Sequence, residues 1–144
     1  MFKTIVTFLI LFNTVAFAAV SVDDVPRVYL KLVHANQIKQ LPIIVAQDTY
    51  KYCGQNYVAC YNEEAIIITY DILNEIKNED ELAGIIGHEM AHAKTGDELE
   101  ADVIGLTYAA KAGYNYCKAA QLMRNWEADP EHPSGADRYK NTGC

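Results

Sequence analysis

The segment HEMAH, residues 88–92, constrains the fold of this chain more than any other feature of its sequence. Two histidines four residues apart on a helix project from one face a turn apart, so His88 and His92 can share one metal ion. The adjacent Glu89 can take a proton from a water molecule that attacks a carbonyl and pass it to the leaving amine. The spacing therefore predicts a helical metal site that carries its own general base.

A third ligand is expected among the carboxylates that follow the motif, which are Asp97, Glu98, Glu100 and Asp102. These residues open a predicted helix that runs to about Lys111, on which Glu98 and Asp102 share a face and Glu100 points away from both. If Glu98 binds the metal, Asp102 is placed to accept the second N–H of a ligating histidine. A different helical phase would make Glu100 the ligand, so the residues leave that alternative open.

The first eighteen residues have the pattern of a signal peptide. They contain one lysine, an apolar stretch and a small-x-small cleavage site, Ala16-Phe17-Ala18. We expect a mature chain of residues 19–144 that forms one small domain, without a membrane span, in the periplasm or the extracellular space. The alternative, a retained membrane anchor, is disfavoured because the apolar run is short and is interrupted by polar residues.

Four cysteines in a small exported domain are most economically explained by two disulfide bonds, for which three pairings exist. The preferred pairing joins Cys53 to Cys60 at the tip of a hairpin and Cys117 to Cys144 between a helix and the tail. Zinc-binding cysteines are the alternative, but the sequence contains no CxxC pair.

The charge pattern argues against nucleic acid as a partner. The formal net charge is −7 and no cluster of lysine or arginine offsets it. An acidic surface mainly indicates solubility.

Hydrophobic periodicity and turn residues predict an α+β fold, with a small, mostly antiparallel sheet beside the motif helix and further helices at the C-terminal end. His34, on the first helix, is interpreted as a surface or core-edge residue. The predicted elements are helices at 23–39, 71–77, 78–96, 97–111 and 117–126, strands at 41–46 and 65–70, a hairpin between those strands, and an ordered loop at 128–144.

From residue 62 to residue 115 the sequence resembles the M48 family of zinc metallopeptidases. The shared features are a strand, the helix NEDELAGIIGHEMAH, the segment ELEADVIG and, in the tail, HPSGADR, which is similar to the family's HPxxxxR. The resemblance implies a minimal zincin-like domain of the gluzincin type, with one zinc ion bound by His88, His92 and Glu98. It also implies that Asp102 supports a histidine ligand and that substrates are peptides or unfolded protein segments.

The resemblance carries three further expectations. The strand Ala65 to Thr69 would be the sheet edge on which an extended substrate adds as a strand. His132 would stand near the metal, where it could stabilise the oxyanion or regulate access. Arg138 would brace the loop that contains His132.

One departure from the family is large, because only residues 93–97 separate HExxH from Glu98, where the family usually has a long segment. The segment Thr95-Gly96-Asp97 is expected to reverse the chain, since glycine tolerates positive φ, and the site is expected to be more open. The short link also resembles the metzincin pattern HExxHxxGxxH. That alternative is disfavoured by a glutamate at the third ligand position and by a displaced glycine.

Two functions are compatible with these residues. The first is a zinc-dependent endopeptidase, a hydrolase of extended or unfolded protein segments. The alternative is a latent or non-catalytic zinc-containing binding or chaperone-like module, in which a fourth protein ligand such as His132 closes the site. Glu89 favours the enzyme, because a structural zinc site has no need of a general base.

Overall fold

The computed structural model describes residues 20–144, so the predicted signal peptide lies outside the described residues. In this part of the chain no helix has the length and apolar character needed to cross a membrane. The elements are α1 (Asp24–Asn36), β1 (Ile43–Ala46), α2 (Tyr50–Cys53), β2 (Ala59–Tyr61), β3 (Ile66–Thr69), α3 (Tyr70–Glu75), α4 (Glu79–Ala91), α5 (Glu98–Lys111), α6 (Tyr116–Ala119), a 3-10 turn (Leu122–Asn125) and α7 (Gly135–Asn141).

The sheet has three strands in the order β1, β3, β2. The predicted α+β class is confirmed, but the sheet is mixed where a mostly antiparallel one was predicted. Strand β3 runs antiparallel to β2 and parallel to β1, with Ile43 opposite Ile66. The reason lies in the strand order. The chain passes from β1 to β2 at the opposite edge of the sheet, and a tight hairpin then places β3 between these two strands.

The segment between β1 and β2 differs from the predicted hairpin. Cys53 ends the short helix α2, and its disulfide partner Cys60 lies within β2. The buried Thr49 organises this segment, because its hydroxyl accepts the Tyr57 backbone N–H at 2.7 Å and donates to a carbonyl at 2.8 Å. The true hairpin joins β2 to β3 at Asn62, whose side chain accepts the Ala65 N–H at 2.8 Å.

The link between α4 and α5 begins earlier in the chain than the sequence predicted. Helix α4 ends at Ala91 and not near Gly96, with His92 as its C-terminal cap. The turn closes with the Lys94 N–H bonded to the Ala91 carbonyl at 2.8 Å. Gly96 is not among the positive-φ glycines of the described chain, so side-chain capping at the start of α5, rather than glycine flexibility, completes the reversal.

The C-terminal region is also more structured than predicted. The expected single helix from Cys117 to Trp126 is divided into α6 and the 3-10 turn, and the expected loop contains α7. Ser134 begins α7 by accepting the Asp137 N–H, which is a common N-capping arrangement. The second disulfide joins Cys117, in α6, to Cys144, beyond α7, and so fastens the two helical segments together.

Helix α4 lies at the centre of the core and is buried along its length from Glu81 to Ala91. It contacts α5 backbone to backbone at Gly87 and Gly105. A Cβ atom on Gly87 would lie 2.4 Å from the Gly105 carbonyl oxygen, and one on Gly105 would lie 2.4 Å from the His88 nitrogen. Since real Cβ contacts are never so short, only glycine at both positions permits this crossing.

This crossing predicts that Gly105→Ala destabilises the protein. We expect the free energy of unfolding to fall by about 1–3 kcal/mol, although alanine is the better helix former by about 1 kcal/mol. Urea denaturation followed by circular dichroism measures the change. Gly96→Ala is the matched control, because nothing lies within 4 Å of its added methyl group. Equal stability of the two variants would contradict the close packing of α4 on α5.

Candidate metal and catalytic site

The two histidines of the motif meet at the C-terminal end of α4. His88 lies in the last turn of the helix and is buried, and His92 is the capping residue. Their rings are nearly perpendicular, with the two Nε2 atoms 3.0 Å apart. The end of one buried helix therefore directs both Nε2 atoms to one point.

The outer nitrogen of each ring faces an oxygen that accepts hydrogen bonds. His92 Nδ1 lies 3.1 Å from the Thr95 carbonyl, and His88 Nδ1 lies 2.9 Å from Asp102 Oδ1. A carbonyl or carboxylate oxygen can only accept, so both Nδ1 atoms carry hydrogen. The inner Nε2 atoms of the neutral rings then present lone pairs to each other, which is unfavourable unless a cation lies between them.

Glu98 contributes oxygen atoms to the same point from the first turn of α5. Its Oε2 lies 3.2 Å from His88 Nε2, and its Oε1 lies 3.4 Å from His92 Nε2. Oε2 is buried, and its geometry gives it no hydrogen-bond partner among the described residues, despite the short distance to His88. A buried carboxylate oxygen without a partner is costly and indicates a missing ligand.

These three side chains form a group of ligand atoms that all lie within 4.8 Å of one another. Two imidazole nitrogens and one carboxylate suit Zn²⁺ in a site that keeps a position open. Glu100, the alternative ligand from sequence, instead accepts a hydrogen bond from the Thr95 hydroxyl, and Asp97 caps α5. The residues present thus fit a zinc ion at His88, His92 and Glu98.

Asp102 and Arg138 form a buried ion pair behind His88. The guanidinium donates to both carboxylate oxygens, at 2.8 Å from Nε and 2.7 Å from a terminal nitrogen, and neither side chain is exposed to more than a trace of solvent. Arg138 therefore contacts Asp102 directly, whereas the resemblance led us to expect it to brace the His132 loop. Through this pair α7 fixes the carboxylate that orients His88.

The convergence of charges shifts the pKa values of His88 and Asp102. Burial lowers the pKa of His88, but the close carboxylates of Asp102 and Glu98 outweigh it and raise the pKa to about 9. Burial raises the pKa of Asp102, yet hydrogen bonds from Arg138 and His88 outweigh it and leave the pKa below its ordinary value. The carboxylates around His88 thus favour a positive charge where the three ligand side chains meet. Either a proton or a metal cation can supply that charge.

Glu89 follows His88 on the buried helix and is 7% exposed. Its side chain makes no hydrogen bond within the described residues and lines a cleft. Burial raises the pKa of this carboxyl group, and the neighbouring histidines act in the opposite direction. A carboxylate with a raised pKa beside an open cleft is suited to accept and return a proton.

The cleft has a volume of about 440 Å³ and runs between β2 and the segment that follows α6. Val58 and Ala59 line one wall, and Trp126 and His132 line the other. The prediction that the strand at Ala65–Thr69 forms the accepting edge is wrong, because β3 is the central strand and both its edges are paired. The free edge at the cleft belongs to β2.

His132 lies in a loop across the cleft from β2. Its Nδ1 contacts the Asp129 carboxylate at 2.8 Å, which leaves Nε2 directed to the ligand group, 3.8 Å from Glu98 Oε2. The ring also packs edge-on against Tyr57, and the phenol of Tyr57 donates to Glu131 in the same loop. The loop is thus attached to the β2 side of the cleft.

Sequence reasoning missed the residues that shape the cleft. Trp126 and Tyr57 contact it although they are distant in sequence and belong to no motif. The glycines of the α4–α5 crossing gave a partial signal, because an isolated glycine in a helical pattern lowers helix stability and so suggests a packing role. Nothing in the linear sequence indicated their pairing.

Comparison with protein families identifies the family of this chain. The profile described as Peptidase family M48 matches residues 22–100, which is more than half of the chain. The matched segment contains the HExxH motif and Glu98, whereas Asp102, His132 and Arg138 lie beyond it. Neither a curated protein nor a solved structure matches this chain.

The buried ion pair predicts a large loss of stability for Arg138→Met. We expect the free energy of unfolding of the metal-free protein to fall by about 3–5 kcal/mol, because the variant leaves Asp102 charged and buried without a partner. The double variant Asp102→Asn/Arg138→Met should recover part of this loss. Urea denaturation measures both.

Arg124→Met is the control for that measurement. Arg124 is exposed and its main contact is the Tyr139 ring, at 5.3 Å. Its replacement should change stability by no more than about 0.5 kcal/mol. A loss for Arg138→Met as small as that of the control would contradict the importance of the buried pair.

Proposed function

The chain belongs to peptidase family M48, and on this premise we propose that it is a zinc-dependent endopeptidase that hydrolyses extended or unfolded protein segments. The observation that carries the proposal is the convergence of His88, His92 and Glu98 on one point, next to a buried glutamate that lines a cleft. This arrangement combines a metal site with a general base and a place for a substrate.

We assign a role to each residue of the group. His88, His92 and Glu98 bind one zinc ion, and Asp102 holds His88 by its Nδ1–H. Arg138 positions Asp102. The support lies in the distances: the three ligand residues are mutually adjacent, and Asp102 lies 2.9 Å from His88 and 2.7 Å from Arg138. A hydrogen-bonded carboxylate behind a ligating histidine fixes the ring and raises its basicity.

When bound, the zinc ion supplies a Lewis acid that polarises the scissile carbonyl and acidifies a water molecule. Glu89 takes the proton of the attacking water and delivers it to the nitrogen of the leaving amine. Its buried position suits this exchange, because a carboxylate shielded from solvent holds a proton more readily than an exposed one. His132 in its doubly protonated form supports the developing negative charge on the carbonyl oxygen through Nε2–H, because its Nδ1–H is donated to Asp129.

The substrate is proposed to lie along the free edge of β2. The Thr69 N–H bonds to the Val58 carbonyl, and the Asn62 N–H bonds to the Ala65 carbonyl. Because hydrogen-bonding direction alternates along an antiparallel strand, the backbone groups of Ala59 and Tyr61 point away from β3. They are available to the main chain of an extended peptide, which an edge strand binds through backbone hydrogen bonds.

An exported location is part of the proposal. Two disulfide bonds join the four cysteines of the described chain, and such bonds persist in oxidising compartments. The signal-peptide pattern of residues 1–18 gives the same indication. We therefore place the enzyme in the periplasm or the extracellular space.

A binding or chaperone-like module with a closed zinc site is the second candidate. It is favoured by one observation, the position of His132 Nε2 at 3.8 Å from Glu98 Oε2. A small movement of the loop would make this imidazole a fourth ligand, and a closed tetrahedral site leaves no position for a substrate.

Metal content and casein hydrolysis, measured together, test the proposed function. Wild type and Glu89→Gln should each bind one zinc ion, whereas casein hydrolysis should fall at least about 100-fold in the variant, because the general base is lost. His88→Ala should lose the metal, and Glu100→Gln should keep both metal and activity. Equal casein hydrolysis by wild type and Glu89→Gln would refute the proposed role of Glu89.

A second prediction separates the two candidates through His132→Ala. If His132 acts on the substrate, the variant keeps its zinc ion with unchanged affinity and loses about 100-fold in kcat, as for removal of an oxyanion donor. We expect this result. Competition with a chromogenic chelator measures the zinc affinity, and a marked loss of affinity would instead support the closed site.

A further inference from the structure

The cleft has an apolar floor beside the metal ligands. The floor is formed by Ile85, Ala119, Leu122, Met123 and Trp126. Ile85 and Met123 belong to the buried core, and Trp126 is partly covered. The metal site does not account for this apolar surface.

The rim above this floor carries negative charge. Glu75, at the end of α3, and Glu127, just beyond Trp126, line the same cleft and are exposed. Neither glutamate has an ion-pair or hydrogen-bond partner in the part of the chain that the structure describes. Asp129 differs from them, because its carboxylate is already bound to the imidazole and backbone of His132.

The cations near the cleft do not balance these two glutamates. Arg138 is matched by Asp102, and the histidines of the cleft are directed to the ligand group. Lys77 and Arg124 line a neighbouring depression that shares Leu122 and Asn125 with the cleft, and they pair with neither rim glutamate. The cleft therefore has an excess of negative charge above an apolar surface.

Glu89 adds an independent indication that a ligand occupies the cleft. Its side chain is more than nine-tenths buried, lacks a hydrogen-bond partner among the described residues and faces the same space. The oxygens of this carboxyl group stay open to the cleft, where a ligand can reach them. The cleft thus joins a buried acidic group, an apolar floor and an acidic rim.

We infer that this cleft selects peptide segments that carry lysine or arginine, with the aliphatic stem of that residue on the apolar floor and its charge between Glu75 and Glu127. Lysine and arginine bury their methylene stems while their charged ends stay at the surface, so they match both layers of the cleft. This inference rests on the proposed function in one respect, which is that a peptide occupies the cleft.

Other residues match the cleft less well. An acidic side chain would be repelled by the rim, and like charges at short range are a strong source of discrimination. A neutral aliphatic side chain of the same length fits the floor but gains nothing from the rim. For exposed pairs of this kind we expect lysine to be favoured over norleucine about 3- to 10-fold.

The test uses labelled eight-residue peptides of neutral sequence with lysine, arginine, norleucine or glutamate placed in turn at each of the four central positions. Their affinities for zinc-loaded Glu89→Gln protein are measured by fluorescence anisotropy, and kcat/KM is measured with the wild type. We expect lysine and arginine to exceed norleucine about 3- to 10-fold in one register, with glutamate the weakest.

Variants of the rim identify the cause of the preference. In Glu75→Gln/Glu127→Gln the ratio of lysine to norleucine should fall to about one, and Glu127→Lys should reverse the order of lysine and glutamate. Glu64→Gln is the matched control, because it removes the same charge from an exposed position on the β2–β3 turn, outside the cleft. Its ratio should equal that of the wild type.

The outcomes separate this inference from the proposed function. If the wild type cleaves no peptide but Glu89→Gln still prefers lysine, the peptidase proposal fails and the inference stands. Three results would overturn the inference. They are a ratio of lysine to norleucine near one in every register, a ratio that the rim variants leave unchanged, and a preference that persists in about 1 M salt. At that salt concentration charges are screened beyond about 3 Å.

Discussion

The contact of α4 with α5 at Gly87 and Gly105 is the constraint on which the rest of the structure depends. It brings the two backbones so close that a methyl group at either position would collide with the opposite helix. The start of α5 is thereby pressed against the end of α4, so that Glu98 and Asp102 reach the two sides of His88. Because these two glycines have no side chains, the helices approach closely enough to fix a site to which both contribute residues.

The ion pair of Asp102 and Arg138 extends that constraint to the C-terminal region. Arg138 lies on α7, which the Cys117–Cys144 disulfide fastens to α6. A buried carboxylate near two other acidic groups is stable only if a cation compensates for its lost hydration. The C-terminal segment is therefore required by the candidate site, although it lies beyond the region that matches the family profile.

The elements that could be predicted are those whose signals are local. The bounds of α5 were predicted closely, because Asp97 supplies a cap and Gly113 a stop. The sheet edge was predicted wrongly, because strand order depends on how distant segments pack and leaves no periodic trace in the sequence. The roles of Tyr57 and Trp126 in the cleft were missed for the same reason, since neither residue belongs to a motif.

The sequence by itself determined the chemistry that is available: two histidines one helical turn apart, a glutamate between them and carboxylates on the next helix. These relations hold within a few residues, where helical geometry decides which side chains share a face. Only the tertiary structure decided that Glu98 and not Glu100 joins the histidines, that Arg138 pairs with Asp102, and that β2 borders the cleft. Each of these depends on close packing between segments that are far apart in the chain. Side-chain volume and buried charge determine the structure only after those segments are in contact.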